Sequence, residues 1–277
     1  MMDPVTLEIC WSRLIGVVNE QAAALQRTSF TSIVREAGDL SAGVFDRRGY
    51  MVAQAVTGTP GHINSMALAM KHFLAACPPE TLRPGDVLIT NDPWLTSGHL
   101  NDVTIASPIF RREECVAVFA STCHTADIGG HVLSAEAREV YEEGLQIPIM
   151  KLYEAGRPNE ALIAIIRANV RVPEMVLGDF HAQIAGGAVG GERLLEFMDE
   201  FGLARLEPLA DEIIGRTEPG ATQVIAMRRG RSSPRQSPRQ ALDPDFRQRV
   251  GGVGGPDAPA SPMLTMCPPS IITRAAA

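Results

Sequence analysis

The 277-residue sequence predicts an α+β fold, and three observations carry that expectation. Apolar residues recur at three- and four-residue intervals near the N-terminus and again beyond Tyr141, the period of amphipathic helices. The centre holds short β-branched or aromatic runs bounded by polar turns, the signature of strands. Two of those runs are joined by the tight, charged link Arg111–Glu114, which implies an antiparallel hairpin. Mixed helices packed on mainly antiparallel strands in two layers follow.

Taken in order, Asp3-Pro4 supplies a cap and a first-turn proline for a helix running to about Gln26, with Leu7, Trp11, Leu14, Val18 and Ala22 on one face. Ser41–Phe45 and Tyr50–Ala55 flank Asp46-Arg47-Arg48-Gly49 and read as a hairpin. His62–Ala76 reads as a helix stopped by Cys77-Pro78-Pro79, with Met66, Leu68, Met70 and Phe73 assigned to the core. Strands are expected over Asp86–Thr90, Val103–Phe110 and Val116–Thr122. After Tyr141 only helices are expected, over Asn159–Val170, Pro173–Ile184, Glu192–Phe201 and Pro208–Arg216. The glycine-rich Gly186–Gly191 between the second and third of these either lets helices meet closely or breaks one long helix in two.

Charge is unevenly spread. The net charge is −7, yet from Ala221 onward eight arginines face three aspartates with no lysine or glutamate, so the first 220 residues carry −12. An acidic body of this kind excludes nucleic acid as the expected partner. No run of eighteen apolar residues argues for a membrane span, and the N-terminus lacks the pattern of a secretory signal. Five cysteines without a CxxC pair fit a reduced, cytoplasmic setting better than a disulfide framework. The chain divides into a body, residues 1–223, and a low-complexity tail, residues 224–277, rich in Arg, Ser, Pro and Gly and expected to be disordered.

Polar residues gather where the predicted strands end, in Arg35–Asp39, Asn91–Trp94, Gly98–Asp102 and His124–His131. If the central turn centres between Arg112 and Glu113, Asp102 lies across from Cys123 and Asn101 from His124; a one-residue shift puts Asp102 opposite His124. Either register brings His99, Asp102 and His124 to the open end of one hairpin, where opposed Cβ atoms are about 5 Å apart. Two imidazoles with one or two carboxylates suit Zn²⁺ or Mn²⁺. A divalent ion there supplies the Lewis acidity that amide hydrolysis needs. Asp92, Asp127 and His131 are then candidates for supporting the ligands or moving protons, although Asp in Asn-Asp-Pro commonly makes a turn. Cys123 and His124 are neighbours on a strand and point to opposite faces, so they do not form a thiol–imidazole pair. There is no GxSxG elbow, and the glycine run lacks the Lys-Ser/Thr of a phosphate loop.

The sequence resembles the hydantoinase B family, which includes one half of 5-oxoprolinase and the large subunit of acetone carboxylase. The landmarks are Asp3–Ile9, REAGDLSAGVFD (35–46), PGHINSM (60–66), GDVLITNDPWLTSGHLNDVTIASPIF (85–110), CHTADIGG (123–130) and EEGLQIPIMKLYEAG (142–156). The likeness covers roughly residues 3–215. It implies that Asp39, His99, Asp102 and His124 bind a divalent metal, adding Asp39 to the three residues reached from the hairpin. It implies a separate hydantoinase A-type subunit that uses ATP, hence a hetero-oligomer, acting on a small cyclic amide such as a hydantoin or 5-oxoproline. A ketone carboxylase subunit is the second reading. Family members run far beyond this length, so the switch to Arg/Ser/Pro/Gly-rich sequence reads as a truncated or frameshifted end. A non-catalytic metal-binding fragment is therefore a third reading.

Overall fold

The protein's computed structural model describes residues 2–131 and 136–216; the expected tail lies outside them. Helix α1 (Pro4–Thr28) begins as the sequence implies, the Asp3 side chain accepting from the backbone N–H groups of Val5 and Thr6 with Pro4 at the first turn. Its buried stripe includes Leu7, Cys10, Leu14, Val18, Ala22 and Leu25. A single helical turn, α2 (Ser32–Arg35), leads into β1 (Leu40–Asp46) and β2 (Met51–Gln54). In their turn, Asp46 Oδ1 accepts from the N–H groups of Arg48 and Tyr50.

Helix α3 (Pro60–Ala76) starts on a proline two residues before the expected His62. Met66, Met70 and Phe73 are buried as expected, but Leu68 is 45% exposed because it sits on the outer face of the helix. Then come β3 (Val87–Thr90), β4 (Asp102–Arg111), β5 (Glu114–His124) and the short turn α4 (Val140–Glu143). The helix-only expectation beyond Tyr141 needs correction, because β6 (Met150–Glu154) and β7 (Arg157–Pro158) precede α5 (Glu160–Asn169). Their turn uses Ala155 and Gly156, both at positive φ, and the buried Asp86 anchors it by accepting from Ala155 N and Lys151 Nζ. That anchor is remote in sequence, so local patterning did not reveal it.

Helix α6 (Pro173–Glu200) is continuous where two helices were expected, and α7 (Glu207–Arg216) follows. Its glycines permit close approach instead of ending the helix. A Cβ on Gly187 would meet Ser107 at 2.9 Å, and one on Gly190 would meet the Phe119 ring at 2.6 Å. Tertiary contact with the sheet here overrides the weak helix propensity of glycine.

The seven strands among the described residues form one antiparallel sheet in the order β2-β1-β5-β4-β3-β6-β7. Leu40, Ala42, Val44, Ala117, Phe119 and Cys123 belong to a core shared with α1, α6 and α7. Ile89, Val103 and Ile105 belong to one shared with α5 and the first half of α6. Phe45, Ala106, Val118 and Ala120 meet Met66, Met70 and Phe73 of α3 on the opposite face.

Register in the β4–β5 hairpin decides the site. Next to the turn Arg111 pairs with Glu114 and Phe110 with Cys115, the register of a turn centred between Arg112 and Glu113. A bulge at Val116 then advances β5 by one residue, so Ile109 pairs with Ala117 and, at the far end, Asp102 with His124. A slip of one residue exchanges the faces of a strand. The bulge therefore places Asp102 and His124 on the same face, towards α3. No helix among the described residues is long and apolar enough to cross a membrane.

Candidate metal centre

Strands β4 and β5 and the residue just before β1 each bring one polar side chain to the same end of the sheet. Leu40 pairs with Cys123, and the His124 N–H donates to the Asp39 carbonyl, so Asp39, His124 and Asp102 lie in one row across β1, β5 and β4. One step inward on that face, the hydroxyls of Thr104 and Thr122 are 2.8 Å apart and buried. His99 comes from the loop before β4, its Nε2 lying 2.9 Å from Asp102 Oδ1, while His124 Nδ1 lies 3.1 Å from the same oxygen. One ligand atom from each of His99, Asp102 and His124 fits within 4.8 Å of the others. Asp39 adjoins this trio; its Oδ1 accepts from Thr59 Oγ1 at 2.6 Å and lies 3.8 Å from His62 Nε2.

Sequence reasoning assigned no role to His62, although it stands in the PGHINSM stretch. Its Nε2 is 2.9 Å from Asp102 Oδ2, so the carboxylate faces three imidazoles. Two buried asparagines, Asn91 and Asn101, support the site in a role that their sequence context alone does not single out. Buried Asn91 donates to the carbonyls of Leu100 and Leu145 and accepts from Ile147 N–H, while Asn101 donates to the Thr125 carbonyl. With Glu143 Oε2 accepting from Leu100 N–H, these bonds hold the His99 loop against the segment around α4. Buried asparagines whose whole side chain is used in this way are signalled by Asn next to a strand end, but that signal alone is shared with ordinary turns.

Burial alone would push the Asp102 carboxyl upward, but hydrogen bonds from His124, His62 and His99 outweigh it and hold the group well below the usual carboxylate range. The bond to Asp102 in turn raises the His99 imidazole, against the opposing effect of burial. A divalent cation fits these residues on two grounds. The donors are imidazole nitrogens and a carboxylate oxygen, the set preferred by Zn²⁺ and Mn²⁺. His124 Nε2 is also a buried polar atom without a hydrogen-bond partner, which is uncommon and calls for an explanation.

The other three candidates are engaged differently. Asp92 accepts from Trp94 N–H in a turn. His131 is exposed, and its backbone N–H donates to the Glu142 carbonyl. Asp127 is buried and accepts from Gly129 N–H, from the Arg171 backbone N–H and from the Arg171 guanidinium. Burial raises the Asp127 carboxyl, but the N–H groups of Arg171 and Gly129 and the Arg171 charge bring it below its ordinary value. A group lowered in the folded state stabilises above its unfolded pKa, near 3.9, and loses that contribution as pH falls through the lower native value. Asp127→Ala is therefore expected to cost about 2–3 kcal/mol at neutral pH, in line with lost charged hydrogen bonds. In urea titrations that difference should shrink below pH ~4; a gap that stays constant into acid would contradict this role.

The family model described as Hydantoinase B/oxoprolinase matches residues 3–241. The B-type component of a putative D-/L-hydantoinase from Pseudomonas sp. strain NS671 is 30% identical over 228 residues, which cover 78% of this chain and 38% of that one. The beta subunit of caprolactamase from Pseudomonas jessenii is 32% identical over 215 residues, covering 76% and 37%. The crystal structure of the ATP-dependent caprolactamase from Pseudomonas jessenii matches with a TM-score of 0.69 over 77% of this chain and 37% of that one, at 32% identity. Nucleotide-free acetone carboxylase, at 21% identity and a TM-score of 0.67, shares the fold. The antiparallel sheet with its helical layers thus places the protein in the class that includes a hydantoinase component and a caprolactamase component. The chain belongs to the hydantoinase B/oxoprolinase family, and it spans 38% and 37% of the lengths of the two Pseudomonas relatives.

Proposed function

We propose that this chain is the metal-holding component of an ATP-dependent cyclic-amide hydrolase, working with a hydantoinase A-type subunit that uses the ATP. The observation that carries the reading is the convergence of His99, Asp102 and His124 within 4.8 Å. His99, Asp102 and His124 would hold Zn²⁺ or Mn²⁺, with Asp39 beside them. When bound, the ion supplies Lewis acidity towards a carbonyl and towards water. His124 and Asp102 form the buried floor, with side chains 8% and 3% exposed. Asp39 and His99, at 35% and 33%, form the rim that a small ring can approach. Likeness to components of a hydantoinase and a caprolactamase supports a cyclic amide as substrate and a second subunit as partner.

The test is elemental analysis of purified, reconstituted protein beside His99→Ala and His124→Ala. Wild type is expected to carry stoichiometric divalent metal and both variants to lose it; metal-free wild type would sink the reading. Combined with an ATP-binding partner subunit, the loaded protein should open hydantoin or lactam rings only with ATP. Bicarbonate-dependent carboxylation of a ketone in that assay would transfer the chain to the carboxylase branch. Stoichiometric metal without turnover would make it a non-catalytic fragment.

A further inference from the structure

We infer that His62 is the positioning residue of the site: it holds one oxygen of Asp102 so that the other is presented to the metal. The inference rests on the metal-holding reading above and extends it to a residue outside the ligand set. The two carboxylate oxygens of Asp102 have different surroundings. Oδ1 faces His99 Nε2 at 2.9 Å and His124 Nδ1 at 3.1 Å, whereas Oδ2 faces His62 Nε2 at 2.9 Å. Without that third imidazole, Oδ2 would be a buried acceptor lacking its hydrogen-bond partner, and the carboxylate would be free to turn about its last torsion.

The backbone delivers His62 to this position. It lies in the first turn of α3, 5% exposed, with its N–H donating to the Thr59 carbonyl. Thr59 is fixed to β1 and the residue before it three times: its N–H donates to the Leu40 carbonyl, its Oγ1 to Asp39 Oδ1, and its carbonyl accepts from Ser41 Oγ. One helix terminus therefore orders both carboxylates, Asp39 through Thr59 and Asp102 through His62. Nδ1 of His62 is buried without a partner, so the bond to Asp102 is the ring's polar anchor. His62 is also outside the group whose ligand atoms share one 4.8 Å neighbourhood, which separates a positioning role from ligation. Hydrogen-bonded groups behind a ligating carboxylate commonly set metal affinity in this way.

Zn²⁺ affinity of the full chain, measured by competition with a chromophoric chelator, tests the idea. His62→Ala and the space-filling His62→Phe should bind roughly 10–100-fold more weakly than wild type. His62→Gln, which keeps an N–H donor, should recover part of that loss. Thermal unfolding without metal checks that each variant is folded. The Co²⁺-substituted His62→Gln protein should keep the visible bands of wild type, because its ligands are unchanged. A folded His62→Phe with wild-type Zn²⁺ affinity overturns the inference. Shifted Co²⁺ bands overturn it too, by making His62 a ligand. Wild type that binds no Zn²⁺ fails at the earlier step and takes both readings down together.

Discussion

Asp102→Ala is expected to abolish metal retention and, in the metal-free protein, to lower stability by about 3 kcal/mol. Asp102 is 2% exposed and accepts from three imidazoles, so the substitution removes a proposed ligand and leaves His62, His99 and His124 without their shared acceptor. The affinity loss should exceed the roughly 100-fold ceiling of residues that act from behind a ligand. In thermal melts without metal the cost corresponds to roughly 6–12 °C for a domain of this size. Wild type should melt at rising temperature as Zn²⁺ is added, because a ligand that binds only the folded state stabilises it by mass action; the variant should not respond. Asp102→Asn separates the two effects. It keeps an acceptor of the same shape, so most metal-free stability should return while Zn²⁺ binding does not. Zinc-dependent melting of Asp102→Asn equal to wild type would refute a ligand role for the carboxylate.

The second large effect lies away from the proposed ligands. Gly144 has φ of +139°, and a Cβ there would fall 2.2 Å from the Ile128 carbonyl oxygen. The clash is with backbone, which cannot yield as a side chain can, and it comes on top of about 1–3 kcal/mol of conformational strain. Gly144→Ala is expected to cost at least about 3 kcal/mol in urea or thermal unfolding. Gly202→Ala, at φ of +63° with nothing near its Cβ, should cost only the strain. Metal affinity should also fall in Gly144→Ala although no ligand changes. Leu145 N–H donates to the Ile128 carbonyl and Glu143 accepts from Leu100 N–H, so the same contact steadies the loop bearing His99. Equal stability losses in the two glycine variants would show that close approach at Ile128 is unimportant.

Parts of this protein were legible one element at a time. Asp3-Pro4 marked the start of α1, Asp46–Gly49 marked the first turn, and alternation along β4 and β5 placed Cys123 and His124 on opposite faces. The hairpin brought His99, Asp102 and His124 to one end from chain order alone. Two registers stayed open because the strand pattern does not reveal whether one strand carries an extra, bulged residue. The structure uses both, one beside the turn and the other beyond the Val116 bulge. The glycine run of α6 was ambiguous for a related reason, since whether a glycine breaks a helix or admits a neighbour depends on Phe119 and Ser107 across the interface.

Local spacing therefore determined most element types, the face each strand residue takes and the imidazole–carboxylate chemistry available at one hairpin end. Tertiary structure alone decided that Asp39 joins His124 and Asp102 in a row across three strands, that β6 and β7 extend the sheet, and that α3 lowers His62 onto Asp102. The physical reason is range. Side-chain direction follows from the period of a single segment, whereas convergence of segments depends on pairing register and on anchors such as Thr59, whose hydrogen-bond partner Asp39 lies twenty residues away.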